Sequence, residues 1–311
     1  MTANFVAINS SKANFDEIYS MEDPRAYFSV LGELDYMIPD IAEPIVRQIL
    51  EARIGCYGRK PRVLDLGCSY GINAAVHRFP VTFATLRRRY ARREMAGLEP
   101  AELARLDRNY YAGWPDIGLA SFVGHDVSQP AVSYAQRVGL LEAGIVADLE
   151  QSELSADAAE IVSGVNVVLS TGCVGYVTER TFRRVLDATS GSPWIVSFVL
   201  RMFPYDAIAR MLEGYGLVTE RFTGAVFAQR RFRDLEEFGG SLATLEKHGV
   251  DPHGFEAEGL LQAELFVSRP EKDVRAAPLS EIVTVTSGRN RPMGARYVQT
   301  AVPEGRVALE P

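Results

Sequence analysis

Cysteine is scarce in this chain, with Cys56, Cys68 and Cys173 the only three in 311 residues. An odd number, so widely spaced, supports neither a disulfide framework nor a zinc-ligand spacing, and it suits a reducing compartment. The four histidines, His77, His125, His248 and His253, form no H-x-x-x-H pair, so nothing in the sequence points to a metal. No run of about 18 apolar residues occurs, which gives no expectation of a membrane partner. The first fourteen residues are polar and lack an apolar signal core, so the expected location is the cytoplasm. A net charge of −7 argues against a polyanionic partner over the whole surface. Neither the dinucleotide fingerprint G-x-G-x-x-G nor a phosphate-loop Gly-Lys-Ser/Thr follows the first strand-like run.

What the chain does have is enough apolar residue, 47%, to bury a large core in one main domain. Its organising stretch is residues 62–74, where the buried-strand pattern Val63-Leu64-Asp65-Leu66 runs into Gly67-Cys68-Ser69-Tyr70-Gly71 and then a helix. Gly67 and Gly71 can take backbone angles, or allow a ligand approach, that a Cβ would block. A second strand ends in Gly124-His125-Asp126-Val127-Ser128, a third in Ala147-Asp148-Leu149, and a fourth in Ser170-Thr171-Gly172-Cys173-Val174-Gly175-Tyr176. Each is followed by a helical pattern, so the order is strand and helix in alternation, with ligands expected beyond the carboxyl ends of the strands. Every one of these acids also has a local reading: Asp126 or Ser128 as a cap of the next helix, Asp148 likewise, and Tyr176 as packing under its loop.

The series Asp65-x-Gly67-x-x-x-Gly71, then Gly124-x-Asp126-x-Ser128, then Asp148, over roughly residues 60–270, resembles the class I S-adenosylmethionine (SAM) dependent methyltransferases, with Ser69 in place of the middle glycine of their first motif. That resemblance implies a Rossmann-like α/β fold with a mixed seven-stranded sheet and helices on both faces. It implies a SAM site formed by Asp65, Gly67, Cys68, Ser69, Gly71, Asp126, Val127, Asp148, Leu149, Ser170 and Gly172, with Asp126 on the ribose hydroxyls and Asp148 on the adenine amino group. Ser170, Thr171 and Tyr176 are the residues expected beside the reacting centre. His77, His125 and Tyr205 can titrate or hydrogen-bond near it, and each has a structural reading.

Residues 1–57 are expected to form a helical cap, with Asn14 or Asp16 capping one short helix, an Asp23 cap with Pro24 opening another, and Pro39 and Pro44 punctuating a third. Its Tyr19, Tyr27, Phe28 and Tyr36 either pack on the sheet or surround a sulfonium cation. The SAM-binding domain is expected at 58–270, with a helical insertion at about 79–118. Arginines 87–89, 92 and 93 in that insertion are followed at helical spacing by the acids Glu94, Glu99 and Glu102, which reads as a solvated helix and not a nucleic-acid surface. Residues 271–311 read as a tail or small hairpin, and the oligomeric state is open, a homodimer included.

The expected activity is in-line methyl transfer from SAM to a small molecule. No Asn-Pro-Pro-Tyr type loop follows the fourth strand, so the acceptor is unread. The aromatic cap and the Ser-Thr-Gly-Cys-Val-Gly-Tyr loop are similar to those expected of azetidine-2-carboxylate synthases, which cyclise SAM itself and release methylthioadenosine. A SAM-binding protein without turnover is the third option, because fold alone does not settle a reaction.

Overall fold

The computed structural model describes residues 5, 8, 9, 12, 13, 15–285, 297–300 and 306–309, the last two stretches as backbone only. Phe5, Ile8 and Asn9 are helical, and α1 (Asp16–Tyr19), α2 (Arg25–Glu33) and α3 (Ile38–Tyr57) follow before β1 (Arg62–Leu66). Then come α4 (Ile72–Arg78), α5 (Phe83–Tyr90), the single turn Arg93–Ala96, and α6 (Pro100–Ala112). The alternating part follows as β2 (Ser121–Asp126), α7 (Gln129–Arg137), β3 (Ala143–Val146), α8 (Ala156–Ser163), β4 (Val167–Thr171), α9 (Glu179–Ala188), β5 (Trp194–Leu200) and α10 (Asp206–Glu213). It closes with β6 (Leu217–Arg221), β7 (Val226–Arg231), α11 (Leu235–Lys247), β8 (Leu260–Pro270), the short helices Glu271–Ala276 and Leu279–Ile282, and the hairpin β9 (Tyr297–Thr300) and β10 (Arg306–Leu309).

All these strands join one sheet in the order β3-β2-β1-β4-β5-β8-β7-β10-β9, with β6 also on β8. The pairs among β1 to β5 are parallel. β8 runs antiparallel to β5, with Leu200 opposite Ala263 and Ile195 opposite Ser268. Strand order reverses beside β1, which is the switch point where a doubly wound sheet opens a crevice. The fold is thus the expected Rossmann-like mixed sheet, but with ten strands among the described residues instead of seven. Two features account for the excess. The sixth strand is broken at residues 222–225, so that β6 and β7 pair in turn with the two ends of β8, and the β9–β10 hairpin extends the sheet beyond β7.

Period-two alternation sorts the strand side chains into two cores. Val63, Phe122, Val167 and Trp194 face the core built with α3 to α7, whereas Leu64, Val123, Val168 and Ile195 face the core built with α8 to α11. Every residue of β5 is buried, as expected for a strand covered on both faces. Each of its large apolar side chains contributes about 1.5–3 kcal/mol of burial.

Several local details differ from the sequence expectation. Asp16 opens α1 without capping it, the N-cap being Phe15, and Asn14 lies outside the described residues. Pro24 is the N-cap of α2, one position earlier than expected, while Asp23 accepts from the Arg25 backbone N–H and pairs with its guanidinium. Pro39 and Pro44 do not interrupt the chain, since α3 runs through both; Pro39 sits in the first turn, where its missing N–H has no intrahelical partner to lose. The arginine-rich stretch is helical and solvated as expected, its Arg89 pairing with buried Asp107 at 2.8 Å. No described helix is long and apolar enough to cross a membrane.

Candidate functional site

The carboxyl ends of β1, β2 and β4 meet the N-terminal segment in one polar region. After Leu66 the chain turns back at Gly67 (φ +69°), Ser69 (φ +48°) and Gly71 (φ +79°), all in the left-handed region. His125 of β2 holds this turn by accepting the Gly67 and Cys68 N–H groups at 2.8 and 3.0 Å. A Cβ on Gly67 would lie 2.8 Å from the Cβ of Cys173, and one on Gly71 3.0 Å from that of Ala135, so the bare backbone is needed for both close packing and turn geometry. Ser69 adopts the same region without being glycine, a conformation that costs energy and is concentrated at ligand sites.

Asp126 ends β2, half-buried, with one carboxylate oxygen accepting the Ser69 N–H at 2.8 Å and the other the Ser128 N–H at 3.0 Å. Ser128 does cap α7, accepting from Ala131 N, so the local reading holds for it while Asp126 faces the loop. Each Asp126 oxygen keeps a second lone pair, the capacity that two ribose hydroxyls require.

Asp65 is fully buried, and one oxygen accepts from the Asn73 amide at 2.8 Å, which also donates to the Thr171 hydroxyl at 2.9 Å. Burial lifts the Asp65 carboxyl to about 7, the Asn73 hydrogen bond pulling the other way and Asp126 adding to the rise. Its second oxygen, Ser69 Oγ, Asn73 Oδ1 and His125 Nδ1 are all buried without a hydrogen-bond partner among the described residues. Orphaned polar atoms concentrated around one strained turn fit a site that a polar ligand completes.

Beyond β4, the Ser170 hydroxyl sits 3.0 Å from Cys173 Sγ, which in turn lies 3.1 Å from the Leu66 carbonyl oxygen. Burial pushes the Cys173 thiol up to about 12, so it is a neutral tie between two loops and no nucleophile. Gly172 packs directly on the Gln229 side chain of β7. Tyr176 is 44% exposed, and the Lys12 ammonium lies 4.6 Å from its ring centre and 5.4 Å from that of Phe203. Burial, with the charge of Arg230 second, lowers the half-buried Lys12 amine to about 8.

The N-terminal segment is strapped over this region. The Tyr70 hydroxyl donates to the Ile18 and Met21 carbonyls, Ser128 Oγ donates to the Tyr19 carbonyl, and the Asn9 amide donates to the Gly175 carbonyl at 2.8 Å. The Ala13 N–H donates to Glu237, which is buried in a two-pronged pair with Arg230 at 2.6 and 2.9 Å. Burial alone would raise the Glu237 carboxyl, but Arg230 and the N–H groups of Arg233 and Ala13 outweigh it and hold it low.

The candidates from the sequence are therefore not all together. Asp65, Gly67, Ser69, Gly71, Asp126, Ser170, Thr171, Gly172 and Tyr176 converge. Cys68 points under the loop towards Gly124, Val127 is exposed at the rim, and Leu149 belongs to the core. Asp148 is exposed beside β3, where it accepts the Glu150 N–H and borders a cavity of about 380 Å³. The cap aromatics form one cluster: Tyr27 has Tyr19, Tyr36, Tyr70 and Phe28 at ring distances of 5.7, 6.4, 5.6 and 5.2 Å, and Phe28 also stacks on Tyr90 at 4.8 Å. His77 stacks on Phe122, His125 Nε2 sits 3.0 Å from the Ala147 carbonyl with burial lowering its pKa, and Tyr205 reaches Ser197, so none of the three is poised as a base. Lys12, Asn73, Gln229, Arg230 and Glu237 belong to the region and were not legible from motifs.

No family model and no curated protein matches the chain. Among solved structures it is similar to the plantazolicin methyltransferase BamL bound to a triazolic desmethylPZN analogue and SAH, at 10% identity over 86% of this chain and 97% of that one, TM-score 0.40. It is also similar to the magnesium protoporphyrin IX methyltransferase of Synechocystis PCC 6803 with bound SAM, at 11% identity over 86% and 92% of the two chains, TM-score 0.35. The [4+2]-cyclase SpnF matches at 12% identity over 72% and 80%, TM-score 0.34. The fold assignment rests on strand order and register, which these likenesses accompany.

Proposed function

We propose that the protein binds SAM across the carboxyl ends of β1, β2 and β3 and uses it as a small-molecule methyltransferase. The observation that carries this reading is the Asp126 carboxylate held by Ser69 and Ser128 N–H groups beside a loop with three left-handed residues. In this proposal Asp126 holds the ribose, Asp148 and the Leu149 backbone address the adenine, and the loop at residues 67–71 lies against the methionine portion. The faces of Tyr19, Tyr27, Tyr36 and Tyr176 line the sulfonium, whose electrophilic carbon is the chemistry that SAM supplies. The chain contributes orientation and electrostatics: it aligns the acceptor opposite the breaking C–S bond and keeps water out. Ser170 and Thr171 act by positioning, through Cys173 and Asn73 respectively. The division into a cap (1–57), a SAM-binding domain (58–270) and a C-terminal tail belongs to the same proposal.

The strapped N-terminal segment favours a second reading, an azetidine-2-carboxylate synthase. A closed site suits a reaction needing no separate acceptor, in which the neutral amine of SAM forms a bond to its own Cγ, the Cγ–S bond breaks, methylthioadenosine leaves and the new ring nitrogen gives up a proton.

One experiment separates the readings: incubation with SAM alone, products identified by mass spectrometry and binding by calorimetry. Azetidine-2-carboxylate with methylthioadenosine above the spontaneous rate establishes the cyclase. Tight binding with SAM intact supports methyl transfer, and no binding overturns both.

A further inference from the structure

At the amino ends of the same strands lies a second cavity, of about 540 Å³. It is bordered by the end of α3, the turns before β4 and β5, and the end of β8. β4 is five residues long. At about 3.3 Å per residue this cavity is therefore roughly 16 Å from the loops at the strands' other ends.

Three cations line it, Arg53, Arg59 and Lys272, together with Ser163, Ser190 and Ser192, and no carboxylate does. Arg53 is 2% exposed, yet makes no salt bridge among the described residues. Its Nε donates to the Asn166 carbonyl at 3.0 Å, and Nη1 has no hydrogen-bond partner. The Arg53 guanidinium and the Lys272 ammonium lie 4.5 and 5.5 Å from the Tyr57 ring centre. The charge of Asp273 acts on Arg53, but this carboxylate makes no ion pair with it; the Tyr57 hydroxyl and the Trp194 indole N–H both donate to one of its oxygens. Glu271, on the same short helix, pairs with Arg275.

A buried guanidinium with no paired carboxylate and an unmet N–H is costly unless something completes it. An oxyanion with several acceptor oxygens meets that need: it can take the charges of Arg59 and Lys272 and serine hydroxyls at the rim, and its charge lies beside the Arg53 guanidinium that lines the cavity.

We propose that this cavity is a binding site for a phosphate group, either the free ion or the phosphate of a small metabolite. The site is independent of the reaction at the other end of the sheet and stands whatever that reaction is. Its volume exceeds that of a bare ion, leaving room for an organic portion.

The test is calorimetric titration of the full chain with inorganic phosphate and, separately, with ribose 5-phosphate, against chloride at matched ionic strength. Saturable binding of either probe tighter than about 1 mM is expected, and the Arg59→Gln/Lys272→Gln double variant should weaken it at least about tenfold. Arg53→Gln alters a buried residue, so the exposed double variant, checked for an unchanged circular dichroism spectrum and Tm, keeps the proposal open to refutation. Equal affinity for the two probes assigns the site to the free ion, and tighter binding of the ester assigns it to a phosphorylated metabolite. No saturable binding of either, or affinity retained in the double variant, overturns the proposal.

Discussion

The two ends of one sheet carry opposite chemistry. Where β1, β2 and β4 finish, the buried polar atoms lacking partners include carboxylate, hydroxyl and amide oxygens, of Asp65, Ser69 and Asn73. Where β4 and β5 begin, the corresponding orphans are guanidinium N–H groups of Arg53 and Arg269. The same backbone plan therefore presents a crevice rich in neutral polar acceptors at one end and a cationic one at the other, and side-chain type makes the difference. Fold says where a ligand can lie; the orphaned atoms say which donors or acceptors it has to bring.

The contrast can be broken first at Glu237. Replacing it with Gln leaves Arg230 buried without its charge partner, which should cost about 3–5 kcal/mol of stability by chemical denaturation. It should also loosen the N-terminal strap and weaken SAM binding, while phosphate binding in the fraction that stays folded is unchanged. Loss of both in folded protein would show that the two ends are not separate. Next in size is Gly67→Ala, whose Cβ would meet Cys173 at a position with φ +69°. Strain and overpacking together should cost roughly 2–5 kcal/mol, read as a lower Tm.

Asp126→Ala leaves the fold in place and should weaken SAM binding by about 1–3 kcal/mol, measured by calorimetry. An unchanged affinity would remove its assignment to the ribose. The finest distinction is one of pH. The Asp65 carboxyl is lifted to about 7 from an unfolded value of 3.8, so the folded protein keeps its proton while the unfolded chain has lost it. Stability from this group is therefore greatest below pH 4 and declines as pH rises to about 7, where the folded carboxyl ionises too. Denaturant midpoints of the wild type relative to Asp65→Asn should fall across that window, and parallel curves would contradict the buried, proton-retaining carboxyl.

Much of this architecture was readable from local pattern. The run from Trp194 to Leu200 is apolar but for Ser197, and it is β5 to the residue; Asp126 ends a strand and Gly67 and Gly71 bound a turn, as their neighbours require. The strap and its anchor were not readable for the opposite reason. Ala13 meets Glu237 across 224 positions, and Asn73 meets Thr171 across 98, so no periodicity connects them. Nor did pattern show that β6 and β7 share one edge of β8, because strand signals report burial and alternation, not partners. Asp148 shows the limit from another side: its place after β3 was evident, its exposure was not.

β8 also sets the order in which the molecule can be completed. It is the neighbour of β5, β6 and β7 at once, through ladders that run from Leu260 to Pro270. Until the ribosome has released that stretch, the whole inner edge of β5 stays open, a long apolar strand with unpaired N–H and C=O groups. Between the completion of β5 at Leu200 and of β8 at Pro270 the nascent chain is thus a half-sheet, exposed to pairing with other chains, and a single late insertion between strands already made closes it.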